Sequence, residues 1–352
     1  YAPHISPSSN QARRRYILAV MEENGMITSE EEQAAQNESI WVLAQETEKQ
    51  LYSWYIDEAL RESAELLGLS ADEVIQGGFE IYTAYDARLQ AIADEVYTDQ
   101  SFFPSAASDG TPIQSAMAVV DTNSGAVLAM VGGREYSVRR GLNRATQMRR
   151  QPGSALKPLA VYGPALELGY TTASVLLDEK TSFGGYTPRN AGDRYYGLVT
   201  MRTAVRNSLN TTAVRLLEEI GLDASIRYLN KMGIPTQNSD RNLSLALGSM
   251  TYGVTPVELA ASYVPYANGG VYHQPYCVSR IESTDGDIVY ERKVSGEQVI
   301  SAQNAFLMTS LLQSVVSNGT GTRMLSANTP IAGKTGTVSM NGGNRDIWMA
   351  AY

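Results

Sequence analysis

In 352 residues there is one cysteine, Cys277, and there are two histidines, His4 and His273. A single thiol excludes an internal disulfide framework, and its ordinary state is that of a small buried hydrophobe. So few soft ligands argue against a protein-built zinc site, and no metal or cofactor is expected. A Ser-His-Asp triad also lacks support, since neither histidine lies near a nucleophile-like serine in sequence. No apolar run approaches the ~18–20 residues that a membrane helix requires, and no signal peptide opens the chain. Tyr1 is not an initiator methionine, so the chain reads as a fragment whose targeting sequence is missing.

What is present is a globular composition: 43% hydrophobic residues and 13 prolines. Charge is unevenly spread. Residues 1–110 hold 6 Lys/Arg against 20 Asp/Glu, and residues 111–352 hold 22 against 17, a net −14 followed by +5. That split suggests separate units. The acidic front half argues against nucleic-acid binding, which needs a dense basic face. The mildly positive remainder tolerates a substrate bearing carboxylates.

Apolar spacing predicts a helix over 10–24 stopped by Gly25, then a short helix opened by the capping-box pair Thr28 and Glu31. A longer helix is expected over about 38–67, closed by Gly68. Gly77-Gly78 leads into an alternating strand at 79–83, followed by a helix over about 86–97. The Ser/Pro/Gly-rich stretch 101–114 marks a boundary. Two strands at 117–120 and 126–131 flank a hairpin signal, helices dominate 154–267, and strands return at 277–283, 288–290, 331–338 and 346–352. The pattern indicates an α+β architecture with the terminal strands meeting in one sheet.

Three segments carry chemistry: Ser154-Ala155-Leu156-Lys157 after Gln151-Pro152-Gly153, then Ser208-Leu209-Asn210, then Lys334-Thr335-Gly336-Thr337. A serine hydroxyl needs a proton acceptor. No Gly-x-Ser-x-Gly elbow surrounds Ser154, but Lys157 sits one turn on and can serve as base. Its pKa must then fall from ~10.4, through burial or a nearby cation; Lys334 is a candidate for that cation. Ser208 can relay a proton between Lys157 and a leaving amine, while Asn210 can hold a substrate amide. Lys334, Thr335 and Thr337 offer an ammonium and two hydroxyls to a terminal carboxylate, and Gly336 permits close approach of substrate backbone. The N–H groups of Ser154 and Thr337 can form an oxyanion hole. Blander readings exist: Ser154 as a capped helix start with a surface lysine, and Ser208 and Asn210 as helix caps. Gly333-Lys334-Thr335 also imitates the end of a phosphate loop, but Asn328 stands where that loop needs glycine. The cluster Arg134, Arg139, Arg140, Arg144, Arg149 and Arg150 reads as solvated or salt-bridged surface.

With Asn143-Arg144-Ala145-Thr146, Arg150-Gln151-Pro152-Gly153-Ser154, Lys157-Pro158, Ala267-Asn268-Gly269-Gly270 and Ala332-Gly333-Lys334-Thr335-Gly336-Thr337, the chain resembles a bifunctional (class A) penicillin-binding protein. The resemblance implies a serine β-lactamase/penicillin-binding-protein-like transpeptidase fold, an antiparallel sheet flanked by helices with a helical subdomain. It assigns 1–37 to a remnant of a glycosyltransferase domain, 38–110 to a linker region and 111–352 to the transpeptidase domain. The glycosyltransferase glutamates belong upstream, so no glycan polymerisation is expected. The family continues past Asp346-Ile347-Trp348 with a further strand and helix that this chain lacks.

By the same resemblance, Ser154, Lys157, Ser208 and Lys334 are catalytic, and Asn210, Thr335, Gly336 and Thr337 bind substrate. Ser154 attacks the penultimate D-Ala of a peptidoglycan stem peptide, an amine resolves the acyl-enzyme, and β-lactams acylate the same serine. The implied partners are stem peptides, a lipid-linked precursor and the division or elongation machinery. The implied location is the extracytoplasmic face of a bacterial membrane, with an anchor helix upstream. Competing readings are a D,D-carboxypeptidase or β-lactamase, a penicillin-binding sensor that cross-links nothing, and a phosphate-binding ATPase.

Overall fold

The computed structural model describes residues 7–38, 53–107, 109–340 and 343–352. Two compact units divide between Leu51 and Tyr52. The first contains helices α1 (Pro7–Glu23) and α2 (Ser29–Asn37). Gly25, at φ 69°, turns the chain between them. The expected capping box is in place: the Glu31 N–H donates to Thr28 Oγ1 at 3.2 Å, and the Thr28 N–H donates to the Glu31 carboxylate at 2.8 Å. Two donors that would otherwise be orphaned at the helix start are thereby satisfied.

The second unit opens with α3 (Trp54–Leu67), capped by Ser53 and ended by Gly68 in the left-handed region. The earlier part of the helix expected over 38–67 lies outside the described residues, apart from Glu38, which follows α2. Helix α4 (Ala71–Gln76) begins on a second capping box, Ser70 with Glu73. Strand β1 (Glu80–Thr83), helix α5 (Ala87–Thr98) and the hairpin β2 (Met117–Val120) with β3 (Val127–Val131) follow. A continuous helical segment over 153–167 ends in α6 (Gly163–Glu167). Then come the hairpin β4 (Val175–Asp178) with β5 (Gly197–Thr200), and helices α7 (Met201–Arg206), α8 (Asn210–Ile220), α9 (Leu222–Lys231) and α10 (Pro256–Ala267). The chain continues through β6 (Val271–Tyr272), β7 (Val278–Glu282), β8 (Ile288–Glu291), β9 (Glu297–Gln298), α11 (Ala302–Asn318), β10 (Gly333–Met340) and β11 (Gly343–Ala351).

The expectation of one sheet made from both terminal strand pairs is corrected. Among the described residues β2–β3 and β10–β11 are separate antiparallel pairs, and β1 joins β7 and β8 in the order β1-β7-β8. The two hairpins share a helix and not a ladder, for α10 packs against both β2 and β11. Its outer faces are apolar enough to serve both, with Val257, Leu259, Tyr263, Val264 and Tyr266 all buried.

Two apolar clusters organise this unit. One joins Trp54, Tyr55, Ala93 and Tyr97 to Met130, Val131, Val278 and Ile281. The larger surrounds Leu156, Leu159 and Tyr162 with residues of α8, α10 and α11. Each fully buried leucine contributes about 1.5–3 kcal/mol. A cluster of that size can therefore offset the burial of polar groups that would not bury by themselves, and Lys157 and Lys334 are both fully buried. Cys277 is buried with its pKa raised, chiefly by burial. Of the arginine cluster, Arg140 pairs with Asp72, Arg149 with Glu258 and Arg150 with Asp346, while Arg134 and Arg144 bond to main-chain carbonyls.

Candidate active site

Helix 153–167 changes its hydrogen-bonding step twice along its length, and the sequence says why. Gly153 lies at φ 56°, and a Cβ there would stand 2.6 Å from the Thr337 carbonyl oxygen. Only glycine suits such a position. Residues Gly153–Leu156 form a 3-10 turn in which the Lys157 N–H donates to the Ser154 carbonyl. Pro158 has no N–H, so the Ala155 carbonyl loses its i+3 donor. The Tyr263 hydroxyl supplies it instead, at 2.6 Å. A π-turn follows over Pro158–Tyr162 before α6 begins, and the Pro158 carbonyl accepts from both the Gly163 N–H and the Tyr266 hydroxyl.

Side chains three apart eclipse one another in a 3-10 turn. Ser154 and Lys157 therefore align more closely than the α-helical turn expected from sequence would place them. Lys157 is fully buried, and Ser154 is partly exposed. Among the described residues the Ser154 hydroxyl makes no hydrogen bond.

Ser208 sits in the turn between α7 and α8. The Leu209 N–H donates to the Ala204 carbonyl at 3.0 Å and the Ser208 N–H to Val205 at 3.1 Å, the paired bonds of a Schellman ending. The left-handed residue of that motif is usually glycine; here it is Ser208, at φ 55°. A non-glycine residue there costs roughly 1–2 kcal/mol, and the turn holds its hydroxyl between two amines. Ser208 Oγ lies 3.3 Å from Lys157 Nζ and 2.9 Å from Lys334 Nζ. Lys157 Nζ further donates to the Ser208 and Leu209 carbonyls at 2.6 and 3.0 Å and to Asn210 Oδ1 at 2.7 Å. Lys334 Nζ donates to the Thr335 carbonyl at 3.0 Å.

Burial holds the Lys157 pKa well below the ordinary lysine value, with the neighbouring Lys334 charge as second cause. Burial pulls Lys334 down to about 7. Both causes anticipated from sequence therefore act on Lys157. Three acceptor-only oxygens oppose them, because they favour the form carrying three N–H bonds.

Burial along β10 alternates, with Lys334 and Gly336 buried, Thr335 half-buried and Thr337 exposed. The Lys334 amine is drawn inward, while the Thr335 hydroxyl meets that of Thr320 at 2.6 Å. Two of the residues read as substrate-binding also meet protein partners. A Cβ on Gly336 would overlap the Pro152 carbonyl oxygen and lie 3.0 Å from the Ala155 nitrogen, so this glycine admits the backbone of the turn that bears Ser154. Asn210, expected to hold substrate, has both ends of its amide engaged by the protein: Oδ1 accepts from Lys157, and Nδ2 donates to the Arg189 carbonyl at 2.6 Å. A Cβ on Gly248 would in turn overlap the Gly153 backbone. The phosphate-loop reading fails because Gly333–Met340 is a strand and opens no helix.

Sequence reasoning missed Tyr263, Gly248, Asp178 and Asn190. Only Tyr263 had a local signal, the orphan carbonyl that Pro158 creates three residues upstream.

A buried lysine three residues from a serine on a tight helical turn, with a second serine and a second buried lysine completing the cluster, is an arrangement able to activate a serine hydroxyl with amines in place of histidine. A family model for the penicillin-binding protein transpeptidase domain matches residues 115–352. The chain belongs to that family, in its class A branch. It is 36% identical over 357 residues to penicillin-binding protein 1F of Bacillus subtilis, covering 100% of this chain and 49% of that protein. To penicillin-binding protein 2a of Streptococcus pneumoniae it is 33% identical, covering 96% and 47%. The chain thus spans about half the length of these curated relatives. The fold is similar to penicillin-binding protein 1A of Haemophilus influenzae, with a TM-score of 0.74 at 22% identity over 99% of this chain and 71% of the other. It is also similar to PonA1 of Mycobacterium tuberculosis in complex with penicillin V, with a TM-score of 0.71 at 24% identity over 85% and 80%. The α+β transpeptidase fold follows from both. No helix among the described residues is long and apolar enough to cross a membrane.

Proposed function

We propose that the chain is a peptidoglycan D,D-transpeptidase unit in which Ser154 is the acylated nucleophile. The observation that carries this reading is the Ser208 hydroxyl held between two fully buried lysine amines, at 3.3 and 2.9 Å, beside the turn that bears Ser154. Neutral Lys157 takes the Ser154 proton as Oγ bonds to the penultimate D-Ala carbonyl carbon of a stem peptide. The C–N bond to the terminal D-Ala then breaks. Its nitrogen takes a proton from Ser208 Oγ, which recovers one from Lys157, and free D-Ala leaves. An acceptor amine attacks the ester carbon and gives a proton through Ser208 Oγ to Lys157; the C–O bond to Ser154 then breaks, Lys157 returns the proton to Ser154 Oγ, and the cross-link is left as an amide.

The Ser154 and Thr337 N–H groups serve as the oxyanion hole, a role supported by the contact of Gly153 with the Thr337 backbone. The Thr335 and Thr337 hydroxyls receive the terminal carboxylate, with Lys334 behind them and Gly336 setting their distance from Ser154. Asn210 fixes Lys157 and keeps its second N–H for a substrate carbonyl. β-Lactams acylate Ser154 by the same steps, and a relative's structure with penicillin V supports this.

Residues 1–37 are read as the C-terminal part of a glycosyltransferase domain, 38–110 as a linker region and 111–352 as the transpeptidase domain. The unit works at the extracytoplasmic face of a bacterial membrane, on stem peptides and lipid-linked precursor, in contact with division or elongation machinery.

Intact-mass analysis after labelled penicillin tests the assignment. One adduct is expected on the chain and none on Ser154→Ala, while Lys157→Ala folds and labels at a small fraction of the parent rate. An adduct that survives in Ser154→Ala overturns the nucleophile. Many turnovers of the adduct per second identify a β-lactamase, and stable labelling without D-Ala release from a D-Ala-D-Ala peptide identifies a sensor.

A further inference from the structure

Helix α8 begins without a local cap, for Leu209 holds the N-cap position and offers no side-chain acceptor. Its first N–H groups are satisfied from a distance. Asn190 Oδ1 accepts from the Asn210 N–H at 2.7 Å and from the Thr211 N–H at 3.3 Å. Asn190 is itself buried, and its Nδ2 donates to Asp178 Oδ1 at 2.7 Å and to the Arg194 carbonyl at 2.9 Å. Asp178 is fully buried and also accepts from the Tyr196 N–H, at 2.9 Å, and from the Thr211 hydroxyl.

The chemistry of these groups fixes every orientation. A carboxylate accepts only, so it turns the Asn190 amino group toward itself and the Asn190 oxygen toward α8. The Arg189 carbonyl, likewise acceptor-only, takes Asn210 Nδ2 and leaves Asn210 Oδ1 facing Lys157 Nζ. Two adjacent residues, 189 and 190, thus set both the backbone and the side chain of Asn210.

We propose that Asn190, oriented by Asp178, is a positioning residue for acylation. It caps α8 from outside the helix and so holds Asn210 and the Ser208 and Leu209 carbonyls at the Lys157 amine. The proposal rests on the reading of Ser154 as the acylated nucleophile, and it touches neither substrate nor reacting atoms.

The test is the second-order rate of labelling by a fluorescent penicillin across a pH series, with thermal melting and amide hydrogen exchange of residues 210–214, on the whole chain. Asn190→Ala removes the cap. Asn190→Asp keeps an acceptor for the helix but sets a carboxylate against Asp178 and loses the Nδ2 donor. The double exchange Asp178→Asn with Asn190→Asp restores a donor–acceptor pair between the two positions. Both single variants are expected to label about 10- to 100-fold more slowly, as small misplacements at a reacting centre do. Their pH–rate limb should shift and 210–214 should exchange faster, and the exchange variant should recover most of the rate. Parent-like labelling and pH profile in Asn190→Ala overturn the proposal, even if melting falls, because the role would then be purely structural. If the parent chain takes no label, the reading of Ser154 falls while hydrogen exchange still decides the cap: unchanged exchange at 210–214 in Asn190→Ala would refute it.

Discussion

Lys334→Met should make the folded chain more stable near pH 6 and slightly less stable near pH 10. The native Lys334 pKa lies at about 7 against an ordinary 10.5. At about 1.4 kcal/mol per unit, that displacement amounts to about 5 kcal/mol against the charged form. Between the two pKa values the unfolded chain binds more protons than the native one, so this group makes stability rise with pH. The penalty is nearly complete at about pH 6, and by about pH 10 some 4 kcal/mol of it has been relieved. Methionine abolishes the penalty and gives up the hydrogen bonds to Ser208 Oγ and the Thr335 carbonyl, worth about 1 kcal/mol each. The balance is a gain of about 3 kcal/mol at the acid end, turning to a loss of about 1 kcal/mol at the alkaline end. Guanidinium denaturation followed by tryptophan fluorescence at four or five pH values measures it as a difference from the parent, which cancels the other titrating groups. Penicillin labelling should be lost throughout. A difference that stays flat across the series would show that Lys334 is an ordinary lysine, and the case for a neutral amine at this site near neutral pH would go with it.

Gly336→Ala should slow penicillin labelling about 100-fold and cost about 1–3 kcal/mol of stability, since its Cβ meets main-chain atoms that cannot step aside; kinetics and melting read both. Tyr263→Phe leaves the buried Ala155 carbonyl without its donor and should lower stability by about 1–3 kcal/mol, with a modest loss of labelling rate. Ser208→Gly and Ser208→Ala both delete the hydroxyl and should label equally slowly. The glycine variant should be the more stable by about 1 kcal/mol, since only it escapes the left-handed strain at φ 55°, and equal melting of the two would contradict that account.

The contrast between Ser154 with Lys157 and Asp178 with Asn190 shows what the sequence could and could not disclose. The first pair is three residues apart, so a helical turn alone brings them together. The sequence missed only that the turn would be 3-10, a consequence of Gly153 and Pro158 acting on neighbouring hydrogen bonds. The Thr28–Glu31 box was legible for the same local reason. The identical pattern at Ser70 and Glu73 opens α4 and is equally local. The hairpin β4–β5 is short, and its exposed residues Val175 and Leu198 broke the alternation that marks a half-buried strand. Asn190 caps a helix 20 residues away, and Gly248 meets Gly153 across 95 positions. No spacing rule reaches that far, because those contacts exist only once the core has closed.

Gly153, Gly248 and Gly336 together leave the turn that bears Ser154 packed against bare main chain. A serine located in that manner takes its coordinates from peptide planes, which have no rotamers to exchange and no side-chain length to vary. The amines around it are reached through flexible four-carbon stems. Substitutions nearby can therefore retune when a proton moves without relocating the Ser154 oxygen, whereas a single methyl group on any of those three α-carbons displaces the turn itself.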